Sequence, residues 1–215
     1  MRILVTGASG LLGLNMCLRL AQDHEVYGVV HRHSLSGVPF SVTAVDLTDS
    51  DSSVKIFSRI KPELIVNCAA MAHVDECEKH PVAARKINAI APGRIARYCK
   101  KTGIHFVHIS TDAVFDGKKG NYSEEDETNP ISVYAETKLE GEKHVLSAYP
   151  SALIPRVNFF GYSLSGERSL AEFFLGHFSA ENRVKGFVDV MFCPLYVLDL
   201  VEIIFSMVQK DLRGI

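Results

Sequence analysis

The chain has 215 residues, 47% of them hydrophobic, and a formal net charge of −2 at pH 7. That length supports one sizeable core, or one core with a small appendage. The near-neutral balance gives no electrostatic reason to expect nucleic acid or an anionic membrane as partner, so a small, roughly neutral ligand fits better. The opening MRILVTGASG breaks its short apolar run with glycines, which is the pattern of neither a signal peptide nor a membrane span, and a cytoplasmic protein is the default expectation. Five cysteines (Cys17, Cys68, Cys77, Cys99, Cys193) are odd in number and lack C-x-x-C spacing, which argues against a disulfide framework or a zinc site. No pair among the nine histidines shows metal-ligand spacing with a carboxylate, and no metal is expected.

In chain order, RILVT (2 to 6) predicts a strand and LLGLNMCLRLAQD (11 to 23) a helix with apolar residues at helical spacing. EVYGVV (25 to 30) and SVTAVDL (41 to 47) predict strands, and DSSVKIFSRI (51 to 60) a helix with an Asp-Ser start. ELIVNCA (63 to 69), HFVHIS (105 to 110) and ALIPRV (152 to 157) read as later strands, with helices over 80 to 101 and 132 to 148. Apolar strands separated by helices predict an α/β fold: a doubly wound parallel sheet covered on both faces.

The first strand-to-helix turn, VTGASGLLG, spaces Gly7, Gly10 and Gly13 as G-x-x-G-x-x-G. Glycines there let the backbone approach a pyrophosphate, whose charge meets the free N–H groups where Gly10, Leu11, Leu12 and Gly13 open the helix. After the second strand, VVHRHS presents His31, Arg32 and His33 with no carboxylate. A ribose 2′-hydroxyl is usually held by Asp or Glu at this point and a 2′-phosphate by Arg, so the pattern favours NADP, with NAD the alternative if Arg32 is only a solvated charge. Asp46 at the third strand's tip is placed to bond an adenine amino group, with Leu47 beside the ring, though an ordinary loop fits there too. Ala69 and Ala70 leave room for a cofactor across the sheet edge, and small residues also simply pack well.

HISTDAVFDG puts Ser110, Thr111 and Asp112 where a strand should end, and YAETK puts Tyr134 and Lys138 one helical turn apart. An ammonium near a phenol lowers the phenol's pKa from about 10, and a strand-tip hydroxyl is placed to hydrogen-bond both the phenol and a substrate carbonyl. Without the glycine turn the pair would read as exposed helix surface; in order with it, the set reads as a proton-transfer device beside a hydride carrier. Asp112 and Asp116 read as turn and cap residues in a loop over the substrate mouth, Glu124 to Glu127 as a solvated face, and Ser163, Ser165 and Arg168 as a polar loop with diphosphate contact as the alternative.

TGASGLLG, NCAA, HISTDAVFDG and NPISVYAETKLEGE, in this order, resemble the extended short-chain dehydrogenase/reductases. Within that superfamily the last two blocks are most similar to dTDP-4-dehydrorhamnose reductases and to the regulatory β subunit of methionine adenosyltransferase. The resemblance implies a Rossmann-type domain over 1–158 and a small substrate lobe with a return helix over 159–215. It implies NADP on the glycine turn, Tyr134 as general acid with Thr111 as hydroxyl partner, Lys138 also on the nicotinamide ribose, and Asn88 supporting the lysine through water. It further implies Val157 and Asn158 closing over the nicotinamide, and Val74, Asp75 and Ser110 on the sugar-nucleotide side.

Two departures accompany it. Ala113 stands where the reductases usually carry tyrosine, and the chain stops at DLRGI, where a further strand is expected to begin, so the resemblance implies an incomplete substrate lobe. The implied function is reduction of a 4-keto nucleotide-linked deoxysugar; the alternative is a non-catalytic NADP-binding regulatory subunit of a partner enzyme. The helices over 80 to 101 and 132 to 148 are candidate homodimer faces by the same resemblance, although their apolar stripes would serve the sheet equally.

Overall fold

The computed structural model describes residues 1–215. Five parallel strands, β1 (Arg2–Thr6), β2 (Glu25–Val30), β3 (Ser41–Ala44), β4 (Leu64–Asn67) and β5 (His105–His108), form a sheet in the order β3-β2-β1-β4-β5. The order reverses between β1 and β4, which opens a crevice beyond their carboxyl ends. One face is covered by α1 (Leu11–Leu20) and α8 (Val197–Gln209), with Met16, Leu20, Leu200 and Ile204 packed on Ile3 and Val66. The other is covered by α2 (Ser50–Ile60), α5 (Ala91–Thr102) and α6 (Val133–Ala148), with Phe57, Ile95 and Val145 in the same core as Leu4 and Ile65. With both faces buried, β4 is wholly apolar until its last residue. No helix is long and apolar enough to cross a membrane.

The predicted strand over 152–157 is not regular. Leu153 bridges Val107 and Arg156 bridges Ser110, both parallel, so the segment lies beside β5 in register, but the ladder breaks between them. Pro155 lacks the N–H that the next rung requires. Gly214 bridges Leu153 on the far side, exchanging bonds with Ala152 and Ile154.

The predicted helix over 80–101 is three pieces: α4 (Pro81–Arg85), a wide π turn over Lys86–Ile90, and α5. Pro92 has no N–H to return to the Asn88 carbonyl, and the Ala91 N–H reaches back to Lys86 instead. A short helix absent from the sequence reading, α3 (Val74–Lys79), precedes them. Beyond residue 158, β6 (Phe159–Phe160), α7 (Leu170–Ser179) and β7 (Leu195–Tyr196) stand outside the main sheet, with β6 and β7 paired to each other, before α8 returns to the core.

Candidate active site

Gly7 turns the chain at the tip of β1 with φ +67°, and a Cβ there would sit 2.7 Å from the Ala69 nitrogen. Only a residue without Cβ takes that left-handed turn cheaply, and the absent carbon lets it lie directly on the end of β4. Gly10 caps α1 with no side-chain hydrogen bond and no acidic residue in the first turn, so the amides of Leu11, Leu12 and Gly13 are left for an anion. The missing side chain of Gly13 lets the helix close on the Gly7 carbonyl.

His31, Arg32 and His33 are exposed beyond β2, and the first two lie near enough to Asp46 to lower its pKa. Asp46 is committed elsewhere: its carboxylate accepts from the Thr48 hydroxyl at 2.7 Å and the Thr48 N–H at 2.8 Å, bonds that depress its pKa most. Leu47 is buried with Ile56 and Phe57 and is not offered to a ring. Ala69 is half-buried against Gly7 and Ala70 is exposed.

At the other side of the crevice, Ser132 caps α6 by accepting from the Ala135 N–H at 3.2 Å, and Glu78 of α3 accepts from the Val133 N–H at 2.8 Å. These fix the start of the helix that carries Tyr134 and Lys138. Lys138 is buried, and its Nζ donates to the Ile109 carbonyl at 2.5 Å and lies 3.5 Å from His108 Nε2. Burial pushes its pKa down to about 8, with Glu142 and Cys68 pulling the other way.

The structure corrects the expectation for the phenol: burial raises the Tyr134 pKa, and the Thr111 hydroxyl, its hydrogen-bond neighbour, only partly offsets that. Thr111 itself opens a single 3-10 turn over Asp112–Val114 and accepts from the Ala113 N–H at 3.2 Å.

The Asn88 side chain bonds directly to the loop after β4 and to α6. It is fully buried, its Oδ1 accepts from the Met71 N–H at 2.9 Å, and its Nδ2 donates to the Met71 carbonyl and the Thr137 hydroxyl, both at 3.1 Å. Both amide hydrogens are spent on the loop after β4 and on α6, so the residue clamps that loop and has no bond to Lys138. Ser110 likewise turns inward, donating to Glu142, and is not presented to the crevice. Asn158 donates to Asp112 at 3.1 Å, tying the segment after 157 to the β5 tip, while Val157 packs on the core and Val74 and Asp75 are exposed on the first turn of α3. Asp116 accepts from Tyr122 and Asn129 within its own loop, consistent with a turn residue.

Sequence reasoning missed the buried set under Ser110. Glu142 bonds Arg156 through two parallel contacts of 3.0 and 2.7 Å, and the guanidinium lies over the Phe115 ring at 5.1 Å. A signal existed: Glu142 follows Lys138 by four residues, on the face that Tyr134 and Lys138 define.

The family model described as RmlD substrate binding domain matches residues 1–214. The chain belongs to that family. Among curated relatives of this RmlD-family chain, a dTDP-4-dehydrorhamnose reductase of Mycobacterium tuberculosis is 32% identical over 221 residues, covering 99% of this chain and 67% of that protein. Methionine adenosyltransferase 2 subunit beta of Bos taurus is 38% identical over 157 residues, covering 73% of this chain and 46% of that one. A dTDP-4-dehydrorhamnose reductase of Bacillus anthracis, solved in complex with NADP, superposes with a TM-score of 0.82 at 26% identity, covering 99% of this chain and 72% of its own. The chain spans about half to two thirds of the length of these curated relatives.

The buried lysine has a stability signature. Between pH 8 and 10.5 the unfolded chain holds a proton on Lys138 that the folded chain has released, so stability should rise with pH across that window. Below it the folded state carries a penalty of up to about 3 kcal/mol. Lys138→Met should therefore lack this rise when chemical unfolding of the two proteins is compared from pH 7 to 10.5; parallel curves would show the ammonium to be solvated.

Proposed function

We propose that the chain is an NADP-dependent reductase of a 4-keto group on a nucleotide-linked deoxysugar. The observation that carries this is one crevice edge holding both an uncapped glycine turn and, across β4, a half-buried phenol beside Thr111 with a buried lysine one turn further along its helix. The NADP complex of the Bacillus anthracis reductase supports the cofactor assignment.

The residues fit such a cofactor. Gly7, Gly10 and the first amides of α1 would take the pyrophosphate, Arg32 the 2′-phosphate, and Ala69, Ala70 and Val157 the surface along the crevice. Bound there, NADPH supplies the hydride. Tyr134 gives its proton to the oxygen of the carbonyl being reduced, a task for which a phenol held protonated by burial is suited. Thr111 orients the phenol and the substrate oxygen, and Lys138 returns a proton to the tyrosine. Residues 1–158 with α8 hold the cofactor on this reading, the segment between them contributes to the sugar-nucleotide side, and the work is cytoplasmic.

The test is a fluorescence titration of the purified chain with NADPH and NADH, with Arg32→Asp alongside, followed by a keto-sugar nucleotide turnover assay with Tyr134→Phe. The expected result is tighter binding of NADPH, at least a tenfold loss of that preference in Arg32→Asp, and turnover reduced by about 10²-fold or more in Tyr134→Phe. NADPH binding with no turnover would move the reading to a cofactor-retaining regulatory subunit. Binding of neither cofactor would end both.

A further inference from the structure

The strand register aligns three polar side chains that the proposed chemistry does not use. Thr6 pairs with Asn67 across β1 and β4, and Asn67 pairs with His108 across β4 and β5, so all three lie in one row at the strand tips. Each is at most 2% exposed. The row continues to Lys138, whose Nζ is 3.5 Å from His108 Nε2.

Hydrogen-bond chemistry gives this row a direction. It begins at a backbone N–H, that of Ala69, which can only donate and meets the Thr6 hydroxyl oxygen at 3.3 Å. Asn67 Oδ1, 2.6 Å from the Thr6 hydroxyl, can only accept, so Thr6 spends its own hydrogen forward on it. With its carbonyl oxygen engaged, Asn67 turns its NH2 to His108 Nδ1 at 2.9 Å. A ring nitrogen that accepts carries no hydrogen, so the proton of the neutral imidazole sits on Nε2 and faces the lysine.

We propose that Thr6 and Asn67 form a directional relay that fixes His108 in its Nε2–H tautomer, making His108 a positioning residue that offers a donor to Lys138 and so stabilises the lysine's neutral amine. This rests on the reading of Lys138 as the group that reprotonates Tyr134: once the ammonium has given up its proton, the amine keeps one N–H on the Ile109 carbonyl and its lone pair accepts from His108. While the lysine is charged, two donors face each other, which accounts for a separation well beyond an ordinary 2.9 to 3.0 Å bond.

The surrounding groups agree with this assignment. His108 is kept neutral by burial and by the lysine's charge. Cys68 and Glu142 are the other titratable groups acting on Lys138, and Cys77 and Asp112 act on Tyr134. Cys68 is held as a thiol by burial, its pKa raised to about 12, and Glu142 is bound to Arg156.

Nitrogen NMR on the cofactor-free chain tests the relay without depending on activity. The two ring nitrogens of ¹⁵N-labelled His108 report the tautomer directly, and the ¹⁵N signal of Lys138, assigned by its loss in Lys138→Gln, reports its titration midpoint. Thr6→Val keeps the shape and removes the hydroxyl; Thr6→Ser keeps the hydroxyl and removes the methyl group. The expected result is an Nε2–H imidazole in the wild type, a shift toward Nδ1–H in Thr6→Val, and a Lys138 midpoint higher there by about one pH unit, a tenfold change in proton affinity.

Thr6→Ser should resemble the wild type in both signals. An Nδ1–H imidazole in the wild type, an unmoved midpoint in Thr6→Val, or equal shifts in the two variants would overturn the proposal. Failure to bind NADPH would overturn the reductase reading and leave these nitrogen signals unchanged, so the two failures are distinct.

Discussion

Glu142→Ala should destabilise the fold by about 3 to 5 kcal/mol, because it leaves the Arg156 guanidinium buried without its carboxylate. Glu142 is 1% exposed and accepts from Ser110, from Arg156 Nε and from Arg156 Nη2. Arg156 Nη1 already lacks a partner, so the cation has nothing to fall back on except the Phe115 ring. Removing a buried charge's only counter-ion costs more than the pair contributes, since the survivor keeps its desolvation penalty.

The double replacement Glu142→Leu with Arg156→Met should accordingly recover most of the loss. Urea unfolding of the single and double variants decides it, and a single-variant loss under about 1 kcal/mol would mean that water reaches the pair. The consequence for function is local: the pair anchors Ser110, next to Thr111, to α6 and to the segment after Pro155, so Glu142→Ala should also loosen the hydroxyl that partners Tyr134.

The second large effect is expected at Gly7. Alanine there must adopt φ +67° and bring a Cβ within 2.7 to 2.8 Å of backbone atoms of Cys68 and Ala69. The left-handed conformation costs about 1 to 2 kcal/mol and the overpacking another 1 to 3, so Gly7→Ala should lose about 3 kcal/mol.

Neither the strand nor the turn can yield alone, because Ala8 is itself bonded to Val29. The displaced tip of β4 would narrow the crevice, and NADPH affinity should fall at least tenfold even in dilute buffer where the variant stays folded. Urea unfolding and the nicotinamide titration read the two effects separately. A folded Gly7→Ala chain that binds NADPH like the wild type would remove the glycine turn from the cofactor site.

The sequence by itself determined the class of fold and the two ends of the site. Apolar runs separated by amphipathic segments specify a covered parallel sheet, because such strands are stable only when both faces are buried. The glycine turn and the Tyr134, Lys138 spacing were legible because each is local: a turn needs φ of one sign, and residues four apart on a helix must share a face.

What tertiary structure decided is everything that depends on which strands become neighbours. Asn88 became a loop clamp because Pro92 opens a π turn that carries its side chain onto Met71. Ser110 turned from the crevice to Glu142, and the phenol's pKa moved opposite to expectation, because burial outweighs the Thr111 hydrogen bond. The row from Thr6 through Asn67 to His108 joins residues 61 and 41 positions apart, and no local pattern marks it. Its members meet only because β4 lies between β1 and β5, and hydrogen bonding at such range is fixed by strand order and register.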